Sequence, residues 1–246
     1  MSKKILLECK NLNKTYSIYL NLFFGLIFDL FSKKNIFKKK INALRNINFK
    51  IHSGDRVGIL GLNGSGKSTL FSCIAGLTNV TSGRIKLFGD IELNSSNSFV
   101  FSEYFSGKEN IIINQISNGY SYKLANQSLD EIIKFSELEN YIENPYYTYS
   151  QGMKSRLLVS MSLFQKNKKN IFLFDESLSA SDFSFYEKVT KKLIEISKER
   201  NKSVMIASHD LNIIKKVCNK IIILDKGRLK SFGNASFVLK EYKKLN

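Results

Sequence analysis

Eight residues in the N-terminal part of the chain, Gly61 to Ser68, have the types and spacing of a phosphate-binding loop. They read GLNGSGKS, after a short apolar run and before a stretch with helical period. Glycines at this spacing let the backbone curl so that its N–H groups, with the N-terminus of the next helix, face phosphate oxygens. Lys67 supplies a mobile cation for the β- and γ-phosphates, and the Ser68 hydroxyl is a ligand for Mg²⁺. The residues expected to bind nucleotide here are Gly61, Asn63, Gly64, Ser65, Gly66, Lys67, Ser68 and Thr69.

A second group of candidate residues closes an apolar run, NIFLFDE, which ends at Asp175 and Glu176. Such a run is typical of a buried parallel strand, and ligands bind at the carboxyl ends of parallel strands. Asp175 is expected to hold the Mg²⁺ shell, directly or through water, and Glu176 to polarise the water that attacks the γ-phosphate. The alternative is a pair of merely solvated acids at a strand end, which the phosphate loop upstream disfavours.

Between these two groups, the segment YSQGMKSRL begins at Tyr149 and opens a helical pattern. On its own it predicts an ordinary capped helix. In this position the sequence resembles the ATP-binding cassette (ABC) family, in which a signature helix directs its N-terminus at the γ-phosphate of ATP held by the opposite subunit. The resemblance implies this role for Ser150 and Gly152, again an anion at a helix N-terminus.

Other landmarks of the family follow in order. Asp182, in the segment LSASD, matches the loop through which two cassettes contact each other. His209 follows another apolar strand and matches the switch histidine that contacts the γ-phosphate, so the implied catalytic residues are Glu176, His209 and Lys67. Tyr16 lies where the family places an aromatic ring against adenine, and a core tyrosine is the alternative. The glutamine that most cassettes carry after the first sheet region has no counterpart from 91 to 106, which leaves that sensor unassigned.

The composition fits one globular unit. A chain of 246 residues is long enough for a single α/β domain, and 43% hydrophobic with 24% charged residues indicates neither disorder nor a membrane-spanning bundle. The net charge of +17 favours polyanionic neighbours such as nucleic acid, nucleotide or an anionic membrane face, or it reflects an AT-rich coding sequence. Three dispersed cysteines indicate neither a zinc site nor a disulfide framework, which fits a reducing cytosol.

The sequence predicts neither secretion of this chain nor a membrane-spanning helix. Glu8 interrupts the apolar run of the first residues, and no stretch reaches the roughly 18 to 20 apolar residues of a spanning helix. The resemblance implies an α/β fold, a P-loop NTPase (RecA-like) ABC nucleotide-binding domain with a helical, signature-bearing subdomain. We expect one domain over 1–246. Its parts are a core of about 1–96 and 166–246, a helical subdomain of about 97–165 and an N-terminal insertion with a membrane-proximal helix at about 18–40.

The insertion contains the apolar stretch LNLFFGLIFDLF at 20–31. As a helix it has one narrow polar stripe and a broad apolar face. Five lysines follow it, at positions 33, 34, 38, 39 and 40. An apolar face beside lysines is typical of an element that lies at a membrane interface or docks a partner, each lysine near an anionic surface contributing about 1 kcal/mol. The alternative is a helix that packs on its own core.

Short motifs narrow the resemblance to the branch that exports surface polysaccharides; they are the YSQGMKSRL signature, SGKENI, DESLSASD and FGNASFVLKEY. We therefore expect an ATP-hydrolysing subunit that powers export of a lipid-linked O-antigen, capsule or teichoic acid, peripheral on the cytoplasmic face of the cytoplasmic membrane. It would use ATP and Mg²⁺ and work as a homodimer with integral membrane permease subunits. The few residues after FGNASFVLKEY predict no further glycan-binding domain, so cargo choice would lie mainly in the permease.

Two alternatives stay open. One is an exporter of drugs or peptides. The other is an ABC ATPase associated with nucleic acid, which would also explain the positive charge. The second type usually carries paired cassettes or long coiled-coil arms, and the sequence shows one phosphate loop and no heptad run.

Overall fold

The computed structural model describes residues 4–19, 38–95, 101–164, 170–175, 183–199, 201–208 and 210–245. Nine strands and seven α-helices lie in these ranges. In chain order they are β1 Ile5–Tyr19, β2 Lys38–His52, β3 Arg56–Leu60, α1 Lys67–Ile74, β4 Ser82–Leu87, β5 Ile91–Ser95, α2 Gly107–Ser117, α3 Tyr122–Ser136, a 3₁₀ turn Tyr146–Thr148, α4 Gln151–Leu163, β6 Ile171–Asp175, α5 Phe183–Lys198, β7 Ser203–Ala207, α6 Leu211–Val217, β8 Lys220–Asp225, β9 Arg228–Asn234 and α7 Ala235–Leu245.

The central element is a six-stranded sheet in the order β5-β6-β7-β3-β8-β9. Its strands are parallel from β5 to β8, and only β9 runs antiparallel to its neighbour. All five residues of β7 are buried, as expected for a strand whose two faces are both covered. The carboxyl ends of β3 and β6 lie at one edge of the sheet with β7 between them. Two strand spacings of about 4.8 Å place these ends roughly 10 Å apart.

A smaller antiparallel sheet, in the order β2-β1-β4, packs over helix α1 and one face of the central sheet. Buried and exposed residues alternate along β2, as expected for a sheet with one face exposed to water. Ile47, Phe49 and Ile51 are buried, whereas Asn48 and Lys50 are exposed. Its buried residues join those of β3 and α1 in one core cluster. This layer fixes the N-terminal strands beside the residues that begin α1.

Helices α5, α6 and α7 cover the opposite face of the central sheet. The buried residues of α5 recur every three or four positions, at Phe185, Val189, Leu193 and Ile196, and form one apolar stripe. They pack against buried residues of β6 and β7 in a second core cluster. The central sheet is therefore covered on both sides.

Helices α2, α3 and α4 enclose a third core cluster, which includes Ile111, Ile132 and Leu157. A capping box starts α2: the Ser106 hydroxyl accepts from the Glu109 N–H, and the Glu109 carboxylate accepts from the Ser106 N–H at 2.8 Å. That hydrogen bond lowers the pKa of Glu109. The division into a core and a helical subdomain stays a prediction.

The two ends of the predicted insertion are paired strand. Ile18 lies opposite Lys39 and Tyr19 opposite Lys38, so three of the five lysines belong to β2. The apolar stretch 20–31, its predicted helix and the lysines at 33 and 34 lie outside the described residues. Among the helices that are described, none has the length and apolar character needed to cross a membrane.

Candidate functional site

The predicted phosphate loop lies between β3 and α1, as the strand–turn–helix pattern requires. Gly66 is the residue before α1, and its backbone is left-handed with φ 108°. A Cβ at this position would lie 2.7 Å from the Ala43 carbonyl oxygen of β2. A Cβ on Gly61 would collide with the Leu224 carbonyl oxygen and the Ser65 hydroxyl. Glycine is therefore required at both ends of the loop by close approach of neighbouring backbone.

The side chain of Lys67 lies inside this loop. It is 5% exposed, and its Nζ donates to the carbonyl oxygens of Gly61, at 2.9 Å, and Leu62, at 3.4 Å. These acceptors are neutral, and in the described part of the chain no carboxylate pairs with Lys67. Its positive charge is therefore available to an anion in the loop.

Ser65 provides a test of whether the loop fits a phosphate. The residue is 4% exposed, and its Oγ is a buried oxygen without a hydrogen-bond partner among the described residues. A buried hydroxyl left unpaired costs about 1 to 3 kcal/mol. A ligand oxygen in the loop would remove this cost, so the loop suits a ligand with hydrogen-bonding oxygens such as a phosphate.

A cavity of about 600 Å³ opens beside the loop and α1. It brings together seven of the predicted residues, Tyr16, Asn63, Gly64, Gly66, Lys67, Ser68 and Thr69. Five further lining residues were not predicted from the sequence, namely Ile41, Asn42, Ala43, Arg45 and Lys226. The cavity is large enough for a small-molecule ligand, since such sites usually measure about 300 to 1,000 Å³.

Tyr16 forms one wall of this cavity and is 36% exposed, which a core tyrosine would not be. It lies opposite Ile41 of β2, so a tyrosine ring and an aliphatic side chain share this wall. The Lys14 ammonium lies 4.7 Å from the centre of the Tyr16 ring and donates to the Asn79 carbonyl oxygen at 2.7 Å. Lys14 does not line the cavity, so this cation–π contact stabilises the Tyr16 ring from outside it.

Asp175 is the last residue of β6, where it is half-buried and lies opposite Ala207 of β7. The strand order places it on the same sheet edge as the phosphate loop. A hydroxyl at Ser68 and a carboxylate at Asp175 are hard oxygen donors of the kind that Mg²⁺ prefers. The described ranges contain no group of three His, Cys, Asp or Glu side chains that could hold a metal. Mg²⁺ held by one or two protein oxygens usually takes the rest of its shell from substrate phosphates and water.

The signature residues lie at the start of α4. The Ser150 hydroxyl caps the helix by accepting from the Met153 N–H at 3.2 Å, and Gly152 lies in the first turn. Ser150 is exposed, and neither residue lines the cavity. Within one chain, the structure does not bring the signature to the phosphate loop.

Three predicted site residues, Glu176, Asp182 and His209, lie outside the described residues. The strands that precede two of them are described: β6 ends one residue before Glu176, and β7 ends two residues before His209. Directly after position 209, the Asp210 carboxylate caps α6 by accepting from the Asn212 N–H.

A family model for the ABC transporter family matches residues 44–179, which is more than half of the chain. The chain belongs to the ABC transporter family. The matched range of this cassette contains the phosphate loop, the signature and Asp175. The family resemblance noted in the sequence is thereby confirmed.

Two bacterial relatives and one solved structure are similar to the cassette. The teichoic acids export ATP-binding protein TagH of Lactococcus lactis is 38% identical over 84% of this chain and 44% of its own length. The O-antigen export system ATP-binding protein RfbB of Myxococcus xanthus is 37% identical over 83% of this chain and 46% of its own length. The chain thus spans about half the length of these relatives. A dimeric post-hydrolysis structure of the ATP-binding cassette MJ0796, bound to ADP and Pi, has a TM-score of 0.74 at 23% identity over 93% of this chain and 98% of that one. This likeness confirms the predicted α/β cassette fold.

Proposed function

We propose that this cassette binds and hydrolyses ATP and that it powers export of a lipid-linked surface polysaccharide. The observation that carries the first part is the cavity in which Tyr16 and the phosphate loop meet. The second part is supported by relatives whose names specify export of teichoic acids and O-antigen.

The proposed chemistry gives each of the predicted site residues a role. The adenine base stacks on Tyr16, and the phosphates receive N–H groups from the loop and the N-terminus of α1. Lys67 neutralises phosphate charge, and Ser68 and Asp175 would hold Mg²⁺, which would supply further positive charge to the phosphates. Glu176 accepts a proton from the water that attacks the γ-phosphorus, as the bond to the β-phosphate oxygen breaks and ADP leaves.

A second copy of the cassette is needed to complete each site under this proposal. The N-terminus of α4 does not line the cavity of its own chain, although the proposed role of Ser150 and Gly152 is to bind the γ-phosphate. In a symmetric dimer, each chain would offer this helix end to the nucleotide of the other. Asp182 would lie in the contact between the chains, and His209 would contact the γ-phosphate.

The ATPase part is tested by measuring ATP binding and hydrolysis separately. Glu176→Gln is expected to leave ATP binding intact and to reduce hydrolysis by about 10²- to 10⁴-fold, the usual contribution of a positioned base. Lys67→Ala is expected to weaken ATP binding itself. Hydrolysis by Glu176→Gln at the rate of the unmodified chain would contradict the assignment of the base.

The export part is tested in cells that lack the gene. We expect surface polysaccharide to be lost while lipid-linked glycan accumulates inside the same cells. Unchanged glycan in both places would reject the polysaccharide cargo and leave an ATPase with another cargo, such as a drug or a peptide.

A further inference from the structure

All the charged side chains that line the cavity beside the phosphate loop are positive. Three cationic side chains line it, Arg45, Lys67 and Lys226, and no Asp or Glu is among its lining residues. The proposed function uses only Lys67. Arg45 and Lys226 come from other parts of the chain, strand β2 and the turn between β8 and β9.

In the described part of the chain, no carboxylate neutralises either of these two cations. Among the described residues, Arg45 and Lys226 form no ion pair, and the guanidinium Nε of Arg45 donates only to the Asn42 carbonyl oxygen, at 3.5 Å. Lys230, on the neighbouring strand, does pair with Asp225, at 3.5 Å. The two positive charges at the cavity therefore remain available to an anion.

Backbone hydrogen bonds fix both residues relative to the phosphate loop. The Arg45 N–H donates to the Gly227 carbonyl oxygen at 2.7 Å, and the Gly227 N–H donates to the Ser65 carbonyl oxygen at 3.0 Å. Lys226 and Gly227 form the two-residue turn between β8 and β9, with φ of 46° and 76°. Two positive φ values are typical of a tight hairpin turn, so Lys226 is carried by a well-defined backbone.

The course of β2 places the two cations at the phosphate loop rather than at the base wall. Ile41 lies opposite Tyr16, and Ala43 contacts Gly66 through its carbonyl oxygen. Arg45 continues the same strand, and its N–H is bonded to the turn that holds Lys226. A nucleotide with its base on Tyr16 would therefore meet this pair with the phosphates that the loop holds, among them the β-phosphate that ATP and ADP share.

We propose that Arg45 and Lys226 form a second cationic contact for the nucleotide, on the phosphates that ATP and ADP share. This inference rests on the proposed ATP site. The pair sets the affinity for both nucleotides and acts on KM for ATP rather than on kcat. Both side chains are exposed, so removal of either charge should weaken binding by about 1.5- to 5-fold, an effect that salt screens.

The test uses variants that keep the backbone. Arg45→Gln removes one charge, and Lys226→Asn removes the other with a residue that accepts the left-handed conformation. The control variants Arg84→Gln and Arg228→Gln each remove one positive charge from an exposed strand residue outside this cavity. Calorimetric Kd values for ATP and for ADP are compared at low and high salt, and the charge-preserving variants Arg45→Lys and Lys226→Arg are included.

We expect both nucleotides to lose affinity alike in Arg45→Gln and Lys226→Asn, less at high salt, with recovery in the charge-preserving variants. Unchanged affinity in these two variants, while Lys67→Ala weakens binding, would overturn the inference and leave the proposed function standing. An equal loss in the Arg84 or Arg228 controls, or a loss confined to ATP, would also overturn it. Absence of ATP binding by the unmodified chain would instead reject the proposed function.

Discussion

Removal of the Tyr16 ring tests whether the cavity recognises a base as well as phosphates. Loss of an aromatic ring from a stacked base costs about 1 to 3 kcal/mol. Tyr16 is 36% exposed, and Lys14 supports its ring, so the base would be stacked on one face only and partly open to water. We therefore take the lower half of the range, about 1 to 2 kcal/mol, which corresponds to a roughly 5- to 30-fold weaker Kd in Tyr16→Ala.

The assay separates base from phosphate by comparing two ligands. ATP carries both groups, whereas inorganic tripolyphosphate carries no base and should bind Tyr16→Ala as well as it binds the unmodified chain. The sequence contains no Trp, so Tyr16→Trp keeps an aromatic platform and introduces a single tryptophan whose fluorescence reports binding. Tyr104→Ala serves as the control, because Tyr104 is 84% exposed and lies outside the cavity. Equal losses for ATP and tripolyphosphate, or no loss for ATP, would refute the stacking role.

Two further predictions concern the loop and the helices. Gly66→Ala should weaken ATP binding and destabilise the fold by at least about 1 to 2 kcal/mol. The reason is that the left-handed backbone of Gly66 and the nearby Ala43 carbonyl leave no room for a Cβ. Unfolding measured with and without ATP reports both effects. Glu137 joins α3 to α5 and α4 by accepting from Lys188 at 3.0 Å and Arg156 at 2.6 Å, and these cations lower its pKa. Because the folded pKa is lowered, this stabilisation is present above the unfolded value of about 4.3 and is lost as pH falls through the folded pKa. Glu137→Gln should therefore cost at most about 1 kcal/mol at neutral pH and nothing in acid, and an equal cost at both pH values in urea titrations would contradict this account.

The phosphate loop could be predicted from the sequence because its determinants are local. A strand, a glycine-rich turn and a helix follow one another over fewer than twenty residues, and the structure places Lys67 at the start of α1. The buried strand that ends at Asp175 could also be predicted from the sequence, because strands covered on both faces are continuously apolar. The signature helix was also indicated, since Ser150 caps α4 as a serine before a helical pattern suggests.

The residues that the sequence did not indicate owe their position to pairing between distant segments. Ile41 reaches the cavity only because β2 pairs with β1 opposite Tyr16. Lys226 lies 159 positions after Lys67 and reaches the same cavity through a hairpin turn bonded to the phosphate loop. Lysines 38 to 40 fall within the predicted N-terminal insertion, and the structure pairs them with β1, a position that no local pattern of charge reveals.

The measurement that tests the central claim most directly mixes two inactive variants. Lys67→Ala disables the phosphate loop. Gly152→Asp places a negative charge at the N-terminus of α4, which in the proposed dimer lies next to the γ-phosphate of the ATP bound by the other chain. If each site takes its loop from one chain and its signature from the other, both homodimers are inactive, but a mixed dimer contains one intact site. An equimolar mixture should then recover about a quarter of the unmodified ATPase rate, since half of the dimers are mixed and each has one of two sites. A mixture no more active than its two components would contradict an ATP site shared between two copies of the chain.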